Sequence, residues 1–278
     1  MQVASLFRYP VKSMLGETLA RSRVGERGFL GDRAYAIVDE ETGKVASAKN
    51  PRRWARLLEC RAEFVEEPTP GAPLPPVRIA LPDGGALESG DRDANDRLSR
   101  FLDRRVRLDH DAPERPMMEQ YRPAVEGFPD STDETVVDEA MALVAPNTYF
   151  DAAPLHVLTS ATLDRLNQLE PASVFTAARF RPNVVVEVAG EPGFPENDWV
   201  GHTLAFGAVR ASVFLSAPRC VMTTLPQGEL GKDGGVLRAI ARHNRFDIPG
   251  LGPSSCVGVY ALVDAGGIAT VGQTVEVQ

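Results

Sequence analysis

The stretch HTLAFGAVRASVFLSAPRCVMTTL, residues 202–225, favours a mainly β fold. It divides into three short apolar segments, HTLAFG, AVRASVFL and CVMTTL, each typical of a strand. Earlier in the chain, AYAIVD, EETGK and VASAK predict a hairpin with Gly43 in its turn. Near the end, VGVYALV and TVGQTVEV flank a GG turn. Many short strands between glycine and proline turns, with few helices, predict barrels rather than a doubly wound sheet.

Three segments predict helices, and one region predicts a division into two domains. Asp91 is the predicted cap of a helix in DRDANDRLSRFL, SATLDRLNQL begins at Ser160, and a third helix runs from Asp233 to about His243. Residues 109–135 are polar, contain prolines and lack a clear pattern, which places a domain boundary there. We therefore expect a mainly β (α+β) fold. A β-rich, barrel-like domain would occupy residues 1–110, and a β-barrel with a few helices would occupy residues 111–278.

The composition excludes several classes of protein. The 278 residues are 43% hydrophobic, and no run approaches the 18 uncharged apolar residues of a membrane span. The net charge is 30 − 38 = −8, which disfavours nucleic acid as the main partner. The start of the chain has no secretory signal pattern. Only four of the 30 cations are lysines, which indicates codon bias and makes each lysine worth examining.

The cysteines and histidines argue against several metal sites. Three cysteines, with no close pair, predict a reducing compartment rather than a disulfide framework. No CxxC motif exists for structural zinc or an iron–sulfur cluster, and no two histidines stand four residues apart.

Cys220 is the first candidate for chemistry. It directly follows Arg219, and a neighbouring guanidinium favours the thiolate, which is the nucleophilic and metal-binding form of cysteine. The alternative is a buried cysteine that acts as a small hydrophobic residue.

In RFRPNVVVEV, Arg181 and Asn183 are predicted on one face of an extended segment and suit a phosphate or a pterin-like heterocycle. A salt bridge and a strand-start cap would explain this pair equally well.

Five further residues suit an anion. Lys12 and Ser13 in YPVKS and Arg33 in GDRAY could hold a phosphate, although each alone is better explained as a solvated polar group. Thr159 and Ser160 stand at the start of the SATLDRLNQL helix, whose unpaired N–H groups suit an anion. Ordinary helix capping also accounts for both.

Taken together and in order, these fragments resemble a known family. The segments FRYPVKS, GDRAYAIVDEETGK, PLHVLTSATLDRLN, RFRPNVVVE, APRCVMTTL, GVYALV and VGQTVEV are similar to MOSC proteins. The first part resembles the N-terminal β-barrel domain that precedes MOSC in amidoxime-reducing components and in YcbX-type bacterial reductases. The resemblance implies a molybdenum cofactor, a molybdenum–molybdopterin, held between the two domains.

The resemblance also implies roles for individual residues. Cys220 matches the cysteine whose thiolate binds molybdenum, a soft ligand for this metal. The residues matching cofactor-binding positions are Lys12, Ser13, Arg33, Thr159, Ser160, Arg181, Asn183, Arg219 and Tyr260. Pro218 precedes Arg219, at a position where some relatives have a residue with a hydroxyl group. This departure from the family pattern would alter the surroundings of the metal on the side that faces the substrate.

The expected function is a molybdenum-cofactor-dependent reductase of small N-hydroxylated compounds. The cysteines are too few for a cluster, so we expect a separate electron-transfer protein to supply the electrons. The absence of a targeting or membrane segment predicts a bacterial cytoplasmic protein that binds neither membrane nor nucleic acid. Two alternatives stay open, a sulfur-transfer protein with a persulfide on Cys220 and a non-catalytic carrier of the molybdenum cofactor.

Overall fold

The computed structural model describes residues 1–122, 134–142 and 144–278. Its strands are β1 (Gln2–Arg8), β2 (Glu17–Leu19), β3 (Arg21–Gly25), β4 (Gly28–Phe29), β5 (Ala36–Asp39), β6 (Arg61–Phe64), β7 (Val77–Ala80), β8 (Ala86–Glu88), β9 (Val106–Asp109), β10 (Met117–Arg122), β11 (Thr135–Ala140), β12 (Leu155–Thr159), β13 (Val184–Glu187), β14 (Thr203–Phe206), β15 (Val209–Pro218), β16 (Arg245–Ile248), β17 (Gly252–Ala265), β18 (Gly267–Thr270) and β19 (Val275–Val277). The helices are α1 (Pro51–Trp54), α2 (Ala94–Leu102), α3 (Ser160–Leu169), α4 (Ala177–Phe180) and α5 (Gly235–His243), and short 3-10 helices cover Ala55–Glu59, Pro195–Trp199 and Val221–Thr224. The predicted mainly β fold is confirmed.

The central element is a nine-stranded sheet that closes on itself. Its strand order is β19-β14-β15-β17-β12-β13-β1-β2, with β16 added on β17. Backbone hydrogen bonds between residues 1–3 and 272–275 join β1 to the segment that enters β19. The barrel interior holds apolar side chains from successive strands, among them Leu6, Val157, Val184, Phe206 and Val259. Because alternate residues of a strand face opposite sides, the short apolar strands of the sequence suit such a closed core.

The first part of the chain adds smaller sheets around a second core. The pair β5-β9 and the three-stranded sheet β6-β7-β8 surround apolar residues that include Ile37, Trp54, Leu57, Ile79 and Leu98. The pair β10-β11 contributes Met118 to a separate cluster with Ala36 and Val45. A third core lies between α3 and α5 on the outside of the barrel.

The two parts of the chain share strands. From the first part, β1 pairs with β13 of the second part, and β3 pairs with β18. The division at residue 110 therefore stays a prediction, and residues 123–133 of the predicted boundary lie outside the described residues. In the described residues, no helix is long and apolar enough to cross a membrane.

Local predictions differ from the structure at two places that matter for the site. CVMTTL was expected to form a strand, but Cys220 ends the extended segment and Val221–Thr224 form a 3-10 helix. Thr223 and Thr224 favour this turn because their hydroxyls donate to the carbonyls of Cys220 and Val221. The predicted cap Asp91 instead bonds the Glu88 N–H, and helix α2 begins at Ala94.

Candidate functional site

A cavity of about 580 Å³ lies between the barrel and the sheets of the first part. Its walls come from the YPVKS turn, the segment around Lys49, strands β10 and β11, residues 150–156, the turn before β13, the end of β15 and strand β17. Eight of the ten predicted site residues line it, namely Lys12, Ser13, Arg33, Arg181, Asn183, Arg219, Cys220 and Tyr260. Segments far apart in the sequence therefore meet at one site.

The structure does not bring Thr159 and Ser160 to this cavity. The fully buried Thr159 hydroxyl accepts the Thr162 N–H at 3.2 Å and donates to the Glu196 carboxylate at 2.6 Å. Ser160 Oγ accepts the Val188 N–H at 3.4 Å. Both side chains serve the start of α3 and its packing, so ordinary capping is the explanation that the geometry supports.

Three of the cavity residues have left-handed backbone. Ser13, Arg33 and Arg181 have φ of 64°, 47° and 56°. Residues other than glycine adopt this backbone conformation rarely and at an energetic cost. Such residues concentrate at functional sites. Arg181 was expected to be extended because it precedes Pro182. The left-handed conformation instead turns the chain between α4 and β13 and places Arg181 in the cavity wall.

Tyr9 and two arginines form one stacked group at the cavity. The guanidinium carbons of Arg33 and Arg181 lie 4.5 Å and 4.2 Å from the centre of the Tyr9 ring, within the range of cation–π attraction. Burial raises the pKa of Tyr9 to about 12, so the phenol keeps its proton, which it donates to the Pro182 carbonyl. Burial lowers the pKa of Arg181 to about 10, and the nearby Arg33 acts in the same direction. Two like charges held this close favour an anion between or beside them.

Asp32 ties the two parts of the site together. Its buried carboxylate accepts hydrogen bonds from the Tyr9 N–H at 2.8 Å, from Asn183 Nδ2 at 2.9 Å and from Arg33. Asn183 Oδ1 accepts a hydrogen bond from the backbone N–H of His156 at 3.1 Å. Asn183 is therefore fixed within a fully bonded network, which orients the wall of the cavity beside Arg181.

Lys12 and Lys49 share one carboxylate. Lys12 donates to the Tyr149 carbonyl at 3.3 Å and forms a short ion pair with Asp151. Lys49 Nζ lies 3.6 Å from the other oxygen of Asp151. Burial would raise the pKa of Asp151, but the two ammonium groups outweigh it and hold that pKa well below its usual range. The three groups together carry one net positive charge inside the cavity.

Cys220 lines the cavity, and the side chain of its neighbour Arg219 contacts other residues of the cavity wall. Arg219 contacts His156 Nε2 at 3.1 Å and donates to the Phe180 carbonyl at 3.3 Å. Burial, with the charge of Arg219, lowers the pKa of His156 well below its usual value, so the ring is neutral beside the guanidinium. The same Nε2 also lies 3.1 Å from the Val257 carbonyl oxygen. The other two cysteines are fully buried, and burial raises the pKa of Cys60 and of Cys256 to about 12. Cys220 is therefore the cysteine available for chemistry.

The cavity suits an anionic ligand with polar groups. Among the described residues of its lining, eight side chains are cationic and two are acidic, although the whole chain carries a net charge of −8. Arg181 Nη1 and Arg219 Nε are buried without a hydrogen-bond partner among the described residues. A buried donor without a partner is costly, so both atoms favour a ligand that accepts hydrogen bonds.

A metal would need ligands beyond this chain. Among the described residues, no group of three or more histidine, cysteine, aspartate and glutamate side chains could hold a metal ion. Cys220 is a single soft ligand, which suits a metal that arrives with other ligands of its own. The donor set therefore fits a molybdenum–molybdopterin, whose phosphate would meet the cationic part of the wall.

Five residues that shape this site are not among the candidates from the sequence. They are Tyr9, Asp32, Lys49, Asp151 and His156. Tyr9 and Asp32 adjoin the YPVKS and GDRAY motifs, and Lys49 is one of only four lysines, so these three carried a signal. Asp151 and His156 carried none, because only the fold brings them to Lys12 and Arg219.

The chain belongs to the MOSC family. The family described as MOSC N-terminal beta barrel domain matches residues 1–66, and the one described as MOSC domain matches residues 145–276. The expected family membership is confirmed.

The curated relatives are amidoxime-reducing components at low identity. The chain is 24% identical over 235 residues to mitochondrial amidoxime reducing component 2 of Rattus norvegicus, covering 80% of this chain and 66% of the relative. It is 28% identical over 242 residues to mitochondrial amidoxime-reducing component 1 of Mus musculus, covering 80% and 65%. The chain thus spans just under two thirds of these relatives. Among solved structures, the YUAD protein from Bacillus subtilis aligns with 99% of this chain and 94% of its own, at 11% identity and a TM-score of 0.43.

Proposed function

We propose that this protein is a molybdenum-cofactor-dependent reductase of small N-hydroxylated compounds. The observation that carries the proposal is the placement of Cys220 in one cavity with Lys12, Arg33 and Arg181. A soft metal ligand and a set of phosphate-type cations are the two requirements of a phosphorylated metal cofactor. The names of the relatives, which refer to the reduction of amidoximes, support the substrate class.

The residues around the cavity divide into two groups. Arg33 and Arg181, with the YPVKS turn, would bind the phosphate end of the cofactor, and Cys220 would bind its metal. Asn183, whose side chain is fully hydrogen-bonded, would orient the wall beside Arg181. When bound, the cofactor supplies two-electron oxygen-atom transfer. The protein supplies binding, orientation and electrostatics.

The cavity lining also suits a small organic substrate. Apolar side chains contribute much of it, among them Phe214, Leu215, Met222, Leu237 and Leu251. Ligand sites combine such apolar walls with a few placed polar groups. The apolar wall displaces water from the substrate, and the polar groups near Cys220 orient its N–O bond.

Electrons come from a separate carrier in this proposal. Cys220 would be bound to the metal, and Cys60 and Cys256 are buried in the cores. A small electron-transfer protein would therefore dock at the open side of the cavity. All three cysteines are free, which supports a reducing compartment such as the cytoplasm.

The test combines metal analysis with turnover. Purified wild type should contain molybdenum and a pterin, and it should reduce benzamidoxime with a reduced viologen as donor. Cys220→Ser should lose the metal or all turnover, while Cys60→Ser serves as the matched control. Persulfide on Cys220 without metal would favour sulfur transfer instead. Stoichiometric molybdenum without turnover under any reductant would favour a cofactor carrier.

A further inference from the structure

Arg179 is a buried arginine that the cofactor-binding motifs do not include. The residue is only 3% exposed, and it lines the cavity. Its guanidinium donates to three backbone carbonyls, those of Val174 at 2.8 Å, Thr223 at 3.3 Å and Gly231 at 3.2 Å. Burial outweighs the charge of Asp233 and lowers the pKa of Arg179. Because a desolvated charge is costly, the value of this arginine lies in the segments that its hydrogen bonds join.

One of these carbonyls belongs to the 3-10 helix that begins directly after Cys220. Thr223 donates its N–H and its hydroxyl to the Cys220 carbonyl, at 3.2 Å and 3.0 Å. The carbonyl of Thr223 in turn accepts a hydrogen bond from Arg179 Nη1. Thr223 is 1% exposed, so water does not compete for these hydrogen bonds. The backbone on the C-terminal side of Cys220 is therefore tied through Thr223 to Arg179.

Arg219, on the other side of Cys220, is tied to the same short helix as Arg179. Arg219 Nη2 donates to the carbonyl of Phe180 at 3.3 Å, and Phe180 follows Arg179 in helix α4. Helix α4 also packs against the 3-10 helix that contains Thr223. One element therefore holds the residues before and after Cys220, and the guanidinium of Arg179 makes the contact on the C-terminal side.

We infer that Arg179 is a positioning residue, which holds Cys220 in the orientation that binding of the metal requires. It acts through Thr223 and the turn after Cys220, without touching the metal itself. Groups that orient a metal ligand from behind typically change metal affinity or activity by about 10–100-fold when they are replaced. The role toward the metal rests on the proposed function, whereas the hold on the Cys220 turn does not depend on it.

The first experiment uses the full chain without cofactor and follows alkylation of each cysteine by iodoacetamide with mass spectrometry. The pH profile of each rate separates the reactivity of the thiolate from the fraction that is ionised. In Arg179→Met, the Cys220 thiolate should react about tenfold faster than in wild type, the effect of losing one hydrogen bond to a charged group. Cys60 and Cys256 are buried and should stay as slow as in wild type. Arg179→Lys should recover part of the difference, because an ammonium still donates but cannot span all three carbonyls.

Two further variants test the path from Arg179 to Cys220. Thr223→Val removes the hydroxyl donor to the Cys220 carbonyl and should also accelerate alkylation of Cys220. Combined with Arg179→Met, it should give less than the product of the two single effects, since both act on one turn. Arg242→Met is the matched control, because Arg242 pairs with Glu170 at the surface and lies outside the cavity lining. Its Cys220 rate should equal that of wild type.

The alkylation rates can overturn the inference in two ways. Equal Cys220 rates in wild type and Arg179→Met would show that Arg179 does not hold the turn. Equal acceleration of all three cysteines would show a general loss of stability instead of a local role. If Arg179→Met does not fold, the comparison of Arg179→Lys with wild type decides in its place.

The second experiment uses cofactor-loaded protein. X-ray absorption at the molybdenum edge should show weaker sulfur coordination in Arg179→Met than in wild type. The kcat for benzamidoxime with reduced viologen should fall about tenfold, while KM changes less than about twofold, because the substrate contacts are unaltered. Unchanged sulfur coordination with unchanged kcat would overturn the role toward the metal. Absence of molybdenum or of turnover in wild type would overturn the proposed function, while the alkylation rates still decide whether Arg179 holds Cys220.

Discussion

Replacing Asp151 with asparagine should destabilise the protein even when no ligand is bound. Asp151 is the shared partner of two lysines whose side chains are only 5% and 12% exposed. The substitution keeps the size of the side chain and removes its charge. Lys12 and Lys49 would then face each other as buried cations without the counter-charge that they share.

The expected loss follows from the burial of these groups. Removing one partner of a buried ion pair costs roughly 3–5 kcal/mol, because the remaining charge stays desolvated. The Asp151 side chain is itself 33% exposed, so water can enter and screen the site, and we expect about 2 kcal/mol. For a chain of this size, 2 kcal/mol corresponds to a fall in Tm of roughly 4–8 °C.

The loss should depend on pH in a defined direction. The pKa of Asp151 in the folded protein lies below its ordinary value of 3.8. A carboxylate with a lowered pKa stabilises the fold above its unfolded-state pKa, and this stabilisation disappears as the pH falls through the folded-state pKa. The difference between wild type and Asp151→Asn should therefore be constant near neutral pH and shrink below about pH 4.

The assay is urea unfolding of cofactor-free protein at pH 7 and at lower pH, with Asp138→Asn as the control. Asp138 pairs with Lys44 at the surface, and its replacement should change the free energy of unfolding far less. Adding Lys12→Met to Asp151→Asn should recover part of the loss, since one unpaired charge is then removed. Equal stability of wild type and Asp151→Asn at pH 7 would refute the reasoning, because the lysines would then need no buried counter-charge.

Four further outcomes follow from the same structure. Cys220→Ser should lose molybdenum or all reductase activity, as metal analysis and viologen-coupled turnover will show, and full activity would exclude Cys220 as the metal ligand. Lys12→Ala and Arg33→Ala should each lower cofactor retention, measured as molybdenum per chain; full retention in both variants would mean that the first part of the chain does not hold the cofactor. Loaded protein should not oxidise NADH or NADPH by itself, since the sequence lacks a GxGxxG dinucleotide motif, and turnover with NADH alone would contradict the external-donor proposal. Burial raises the pKa of Glu196, so its contribution to stability is present below its ordinary pKa and is lost as the pH rises through the folded value. Unfolding curves should therefore show Glu196→Gln gaining stability relative to wild type as the pH rises above the ordinary pKa of glutamate, and a pH-independent difference would argue against a desolvated carboxylate.

Several site residues could be predicted because their local sequence already limits the backbone. The YPVKS and RFRPN segments join a proline to charged and polar side chains, and both lie at turns of the structure that line the cavity. Thr159 and Ser160 show the limit of such reasoning. Their position at a helix start was predicted correctly, but the direction in which that helix start faces depends on the packing of α3 against the barrel.

The sequence alone determined the mainly β fold, because alternating apolar strands and turn residues are local properties of the chain. It also determined the family, through the resemblance of motifs such as YPVKS, RFRPN and APRC in their order along the chain. It also determined that Cys220 stands beside an arginine, but not that the guanidinium of Arg219 turns to His156 instead. Only the tertiary structure decided which charges surround the cavity. Lys12, Lys49 and Asp151 are separated by up to 139 residues, and closure of the barrel against the first part brings them within ion-pair distance. Coulomb attraction and desolvation depend on distance in space and on burial, neither of which a local sequence pattern contains.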